Sequence, residues 1–164
     1  MCCHIYCSHM CPKLKNEISQ SAGFASVQEE VSLNILRTAA LLDHAVAEHL
    51  RPHGLTPTQY NVLRILRGAG ADGMCRNDVQ DRMLTPVPDT TRLLDRLEDA
   101  GLVRRDRDAE DRRFVTARIT DSGLALLASL DEPVARMHES LLGHLPELEL
   151  RRLAELLEEA RDRM

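Results

Sequence analysis

The 164 residues include no Trp, two Tyr and two Phe, so aromatic side chains make up only 2 % of the chain. That scarcity argues against a β-sandwich, whose strands draw heavily on aromatic and β-branched residues. Also missing is any apolar run of the ~18 residues that a membrane-crossing helix needs. The first ten residues have neither the basic nor the apolar stretch of a secretory signal. A cytoplasmic chain with no membrane partner is expected. The sequence further lacks a glycine-rich phosphate loop, an H-E-x-x-H pair and a G-x-S-x-G turn, and its carboxylates are patterned along surfaces rather than isolated among apolar residues. Neither enzyme activity nor a cofactor or metal is expected. What is abundant is Leu, Ala, Glu and Arg, the composition of a mainly helical protein, in a chain long enough for one compact core or two small units sharing it.

Cysteine occurs in an odd number, at Cys2, Cys3, Cys7, Cys11 and Cys75. An odd count in a reducing compartment argues against a disulfide framework. Four of the five crowd into the head of the chain beside His4 and His9, but their spacing matches no paired C-x-x-C zinc module. With a second methionine at Met10, residues 1–25 read as a flexible N-terminal extension. A metal or redox response remains the alternative.

The formal net charge of −5 argues at first against a nucleic-acid partner. Its distribution reverses that argument. Residues 1–75 carry six bases and six acids, residues 76–120 ten and ten, and residues 121–164 five and ten, so the whole excess is C-terminal. Every base of the middle segment is an arginine: Arg76, Arg82, Arg92, Arg96, Arg104, Arg105, Arg107, Arg112, Arg113 and Arg118. The planar guanidinium fork suits phosphates and guanine edges better than a lysine does, although a salt-bridged, solvated surface uses the same residues.

Apolar residues from Val27 to Leu50 recur at helical spacing, which predicts a long first helix over about 26–50 that stops before Pro52 and Gly54. Thr56, Pro57 and Gln59 supply an N-cap, a first-turn proline and a capping-box partner for a second helix running to about Arg67. A short helix follows over 76–83, then a turn with Pro86 and Pro88, then an amphipathic helix to Ala100 that Gly101 stops. The period then changes from 3.6 to 2, predicting strands over 102–105 and 114–119 joined by an arginine-bearing tip. Thr120 caps a helix whose Leu127, Leu130, Val134, Met137 and Leu141 form a coiled-coil-like seam, with a kink expected at Pro133. A last helix from about Pro146 carries Leu153, Leu156 and Leu157. These two leucine-rich helices call for burial against the first helix or a second subunit, which makes a homodimer the economical expectation.

A short helix, a turn, an amphipathic helix and a charged hairpin in succession form a winged helix-turn-helix. The fold expected is mainly α with a small β-hairpin wing, joined to a helical dimerisation region. Its domains are the extension 1–25, a dimerisation helix 26–54, the winged DNA-binding domain 55–120 and dimerisation helices 121–164. Only the major groove is wide enough to admit the amphipathic helix, while wing arginines suit phosphates or the electronegative minor groove.

The sequence resembles the MarR-type transcriptional regulators. The resemblance spans about 28–164 and rests on Leu55-Thr56-Pro57-Thr58-Gln59-Tyr60-Asn61-Val62-Leu63, on Thr91-Arg92-Leu93-Leu94-Asp95-Arg96-Leu97-Glu98 with Gly101-Leu102-Val103, and on Asp111-Arg112-Arg113 leading to Ile119-Thr120-Asp121-Ser122-Gly123. It implies a homodimer on a pseudo-palindromic double-stranded operator, usually a repressor released by a small aromatic or phenolic ligand or by an oxidant. It implies DNA-facing positions at Asp89, Thr90, Thr91, Arg92 and Arg96, wing-tip arginines Arg112 and Arg113, and Asp111 as the residue that orients an arginine. Arg96 could instead pair with Glu98, Asp99 or a wing carboxylate. Cys75 stands where Ser or Thr would cap the short helix. His49 and His53 are four apart, but Pro52 breaks the helix that a metal pair would need. The competing function is a helical dimeric protein-interaction module.

Overall fold

A computed structural model describes residues 13–107 and 115–163. In chain order it contains α1 (Lys13–Glu17), α2 (Val27–Leu50), α3 (Pro57–Ala69), β1 (Met74–Cys75), α4 (Arg76–Asp81), α5 (Thr90–Asp99), β2 (Val103–Arg107), β3 (Val115–Ile119), α6 (Asp121–Leu142) and α7 (Glu147–Arg161). Two compact units divide between His44 and Ala45.

The first unit holds α1 and most of α2. Ser26 starts α2 by accepting the Glu29 backbone N–H on its hydroxyl at 3.1 Å, while the Glu29 carboxylate accepts from the Ala25 N–H at 2.5 Å. The first bond satisfies a donor that a helix start otherwise leaves open, and the second ties the preceding residue to the first turn. Helix α1 lies inside the segment expected to be an irregular extension, and Arg37 of α2 reaches within 3.8 Å of its Glu17.

In the second unit, Gly54 takes a left-handed conformation (φ +71°) after a 3₁₀ turn over Arg51–His53, and α3 begins with the expected box. The Thr56 hydroxyl accepts from the Gln59 N–H at 3.2 Å, and the Gln59 side chain accepts from the Thr56 N–H at 2.9 Å. Leu50, Leu55, Tyr60, Val62, Leu63 and Leu66 meet Val79, Leu94, Leu97, Val103 and Ala117 in one buried cluster. Helical period 3.6 on α3 and α5 and strand period 2 on β3 bring these residues to a common interior.

The expected two-stranded hairpin is a three-stranded antiparallel sheet in the order β1-β3-β2. Met74 faces Ala117 and Cys75 faces Thr116 on one side of β3, and Val103 to Arg107 pair with Ile119 to Val115 on the other. Gly73 allows β1 to form. Its φ is +68°, and a Cβ there would lie 2.5 Å from Arg118 Cγ and 2.6 Å from the Ala117 carbonyl oxygen. Only glycine combines that conformation with that approach.

Helix α6 starts at its expected cap, the Thr120 hydroxyl accepting the Gly123 N–H at 3.1 Å, and runs through Pro133 as one element. Its seam requires a correction. Leu127 and Leu130 are fully buried and Val134 is 6 % exposed, all in the core cluster of their own chain, with Met137 half-buried against it. They hold α6 to α3, where Arg67 and Asp131 also form an ion pair at 2.8 Å, and are not free for a second subunit. Leu141 is half-buried. On α7, by contrast, Leu148, Leu153 and Leu156 are exposed and Leu157 is half-buried. Among the described residues no helix is long and apolar enough to cross a membrane, and no cluster of three His, Cys, Asp or Glu side chains could hold a metal.

Candidate nucleic-acid interface

Helix α5 begins where Asp89 accepts the Arg92 backbone N–H on its carboxylate at 2.9 Å. An aspartate here satisfies an otherwise unpaired donor and complements the positive end of the helix. Leu94 and Leu97 are buried, which turns Thr91, Arg92 and Arg96 outward. Among the described residues neither Arg92 nor Arg96 forms an ion pair, and Arg96 in particular is not held by Glu98 or Asp99. Two guanidinium groups one turn apart thus stand open on one helix beside a strand pair.

Thr90 must be removed from the outward set. It is 2 % exposed, and its hydroxyl donates to the Gln80 side-chain oxygen of α4 at 3.3 Å. Its position after the cap turns it towards α4, so it fixes the angle between the two helices rather than offering a contact to DNA. Asp111, Arg112 and Arg113 lie outside the described residues.

Two more arginines, Arg105 and Arg118, are tied into the fold, and Arg104 stays largely exposed. Arg105 of β2 donates to Glu98 of α5 from its backbone N–H at 3.1 Å and from Nε at 2.7 Å; its Nη2 also pairs with Glu98, and its Nη1 lies 2.7 Å from Asp95 Oδ1. The hydrogen bond from Arg105 holds the Glu98 carboxyl below its ordinary pKa, and the same bond holds the Arg105 guanidinium above its own. Arg118 of β3 donates to Asp106 at 2.6 Å and to the Ala71 carbonyl at 2.8 Å, and Arg104 sits 3.7 Å from Asp106. Sequence reasoning did not single out Arg105 and Arg118 as structural groups. The available signal was Glu98 and Arg105 flanking the helix-stopping Gly101, an arrangement that folds a strand back along the last turn of its helix.

A cavity of about 340 Å³ lies between α4, α5 and the sheet, lined by Cys75, Arg76, Thr91, Leu94, Arg105 and Val115 among others. Cys75 takes the N-cap position of α4 but makes no side-chain capping bond there. Among the described residues, Arg76 bonds the neighbouring Asn77 side chain alone, at 2.8 Å.

Residues 53–113, which hold α3, α4, α5 and β2, match the model of the MarR family. The chain is 30 % identical over 115 residues to the HTH-type transcriptional regulator MhqR of Bacillus subtilis, covering 70 % of this chain and 77 % of that one. The solved structure of a MarR transcription factor from Planctomyces limnophilus is 43 % identical, with a TM-score of 0.65 and coverage of 83 % and 98 %. A mutant MarR from E. coli, solved in complex with operator DNA, is 26 % identical with a TM-score of 0.73 over 80 % of this chain and 93 % of that one. These relatives are transcriptional regulators and not enzymes, and the expected winged helix-turn-helix is the fold they share. By sequence and by fold, the chain belongs to the MarR family of DNA-binding transcriptional regulators.

Proposed function

We propose that this regulator acts in the cytoplasm as a homodimeric repressor on a pseudo-palindromic operator. Each copy places α5 in a major groove and reaches an adjacent minor groove with Arg113, oriented by Asp111, while Arg112 meets phosphates. The observation that carries this reading is the pair of guanidinium groups, Arg92 and Arg96, that form no ion pair among the described residues and stand beside exposed Thr91 on a helix whose other face is buried. Arginine at a groove-facing helix pairs bidentately with guanine or with phosphate oxygens. That the E. coli relative was solved with operator DNA supports an operator as the partner.

Dimer formation is supported by unpartnered apolar positions in each unit: Val27, Val31 and Leu36 on α2, and Leu148, Leu153 and Leu156 on α7. A small aromatic or phenolic acid is the proposed releasing ligand. The cavity beside α5 offers it Leu94 and Val115 for an apolar ring and Arg76 for a carboxylate. Filling it wedges α5 against the sheet, which changes the spacing between the two DNA-contacting elements. The decisive experiment compares Arg92→Ala and Arg113→Ala with the wild-type chain on a duplex that the wild type selects from a random-sequence library. Each should weaken binding by about fivefold or more and flatten its salt dependence by about one ion. Unchanged affinity and slope in both variants would instead favour a protein-interaction module.

A further inference from the structure

We infer that Asp95, Glu98 and Arg105 form a positioning clamp that sets the wing against α5, so that operator affinity depends on three side chains that themselves contact no DNA. This rests on the operator reading above. Asp95 and Glu98 are three apart and share a stripe of α5, and Arg105 is the middle residue of β2. One guanidinium spans both carboxylates while its own backbone N–H donates to the second, so side chain and main chain of β2 are tied to the same turn of helix. Between them lies only a turn at Gly101 (φ +70°), where the Gly101 and Leu102 N–H groups donate to Glu98 and Leu97 carbonyls at 2.8 and 2.9 Å. A bidentate, two-carboxylate hold fixes direction as well as distance, which a single exposed ion pair does not. Beyond Arg105 the strand continues through Asp106 and Arg107, and the chain then leads to the segment that carries Arg112 and Arg113, so the angle held at Arg105 sets the direction in which β2 leaves α5.

The clamp differs from a DNA contact in the sign of a simple experiment. Its three groups sum to one negative charge, which phosphates repel. Were Arg105 a phosphate ligand, neutralising Glu98 would free it and tighten binding; if the clamp positions the wing, neutralising Glu98 loosens binding. The test uses the full chain, the duplex selected by the wild type, and Glu98→Gln, Arg105→Met and the doubly exchanged Glu98→Arg, Arg105→Glu. At fixed salt, Glu98→Gln and Arg105→Met should each weaken binding about fivefold, and the exchanged pair should recover part of that loss. Hydroxyl-radical protection of the minor groove should fall while methylation protection in the major groove persists. Glu98→Gln is nearly isosteric and carries the test even if Arg105→Met folds poorly. Tighter or equal binding by Glu98→Gln would overturn the inference, as would proportional loss of both protections or an exchanged pair no better than either single variant. Should the wild-type chain select no duplex at all, the operator reading itself fails, and the clamp with it.

Discussion

Arginines in the middle of this chain divide by what holds their guanidinium. Arg105 and Arg118 are each tied to carboxylates of the sheet or α5 and are 27 % exposed at the side chain, whereas Arg92 and Arg96 stand open. Composition alone shows ten arginines of one kind, because pairing depends on which carboxylate the fold brings near. Arg118→Ala should therefore lower the melting temperature, a change that thermal denaturation measures, while Arg92→Ala should leave it unchanged and lower DNA affinity. Thr90 and Thr91 teach the same lesson at finer grain. They are neighbours in sequence and alike in chemistry, yet a rotation of about 100° on the helix puts one inside and one outside. Gly73→Ala, forced into a left-handed conformation against β3, should destabilise the fold by more than about 1 kcal/mol in urea unfolding.

Elements with strong local signals were legible from sequence. The α3 capping box, the Gly101 stop and the Thr120 cap all rest on bonds between residues a few positions apart, and all occur as expected. Thr56→Ala should accordingly cost about 1 kcal/mol, again measured by denaturant unfolding. Strand β1 was illegible for the opposite reason. Its two residues carry no period of their own, and their conformation is supplied by β3 some forty positions later. The clamp between α5 and β2 adds a pH dependence. Glu98 ionises below its ordinary pKa when folded, so its contribution is complete above the unfolded carboxylate value, about pH 4, and is lost as pH falls through the lower folded value. Asp131, held down by its hydrogen bond from Arg67, behaves alike at the α3–α6 contact. Acid titration followed by circular dichroism should show stability constant from pH 7 to about 5 and falling below about 4; constant stability to pH 2 would contradict both pairs.

For the whole molecule, the excess negative charge sits on residues 121–164, shared between α6 and α7, and leaves the α5 and sheet region neutral in total. Under the proposed operator reading, non-specific attraction to DNA is then modest, and discrimination rests on a few placed guanidinium groups. Separating the two uses of leucine also needs the fold. Spacing alone assigned the α6 seam to a second subunit, because an apolar stripe looks the same whichever surface covers it; the core of the same chain covers it here. Leu127→Ala should cost about 2–5 kcal/mol of fold stability, whereas Leu153→Glu with Leu156→Glu should leave the fold intact and yield a monomer in sedimentation at micromolar concentration. The central claim is that the open arginines of α5, together with Arg113, read an operator. Its most direct test is the salt-dependent affinity of wild type, Arg92→Ala and Arg113→Ala for one selected duplex: the account predicts weaker binding and a shallower slope in each variant, and three superimposable curves would contradict it.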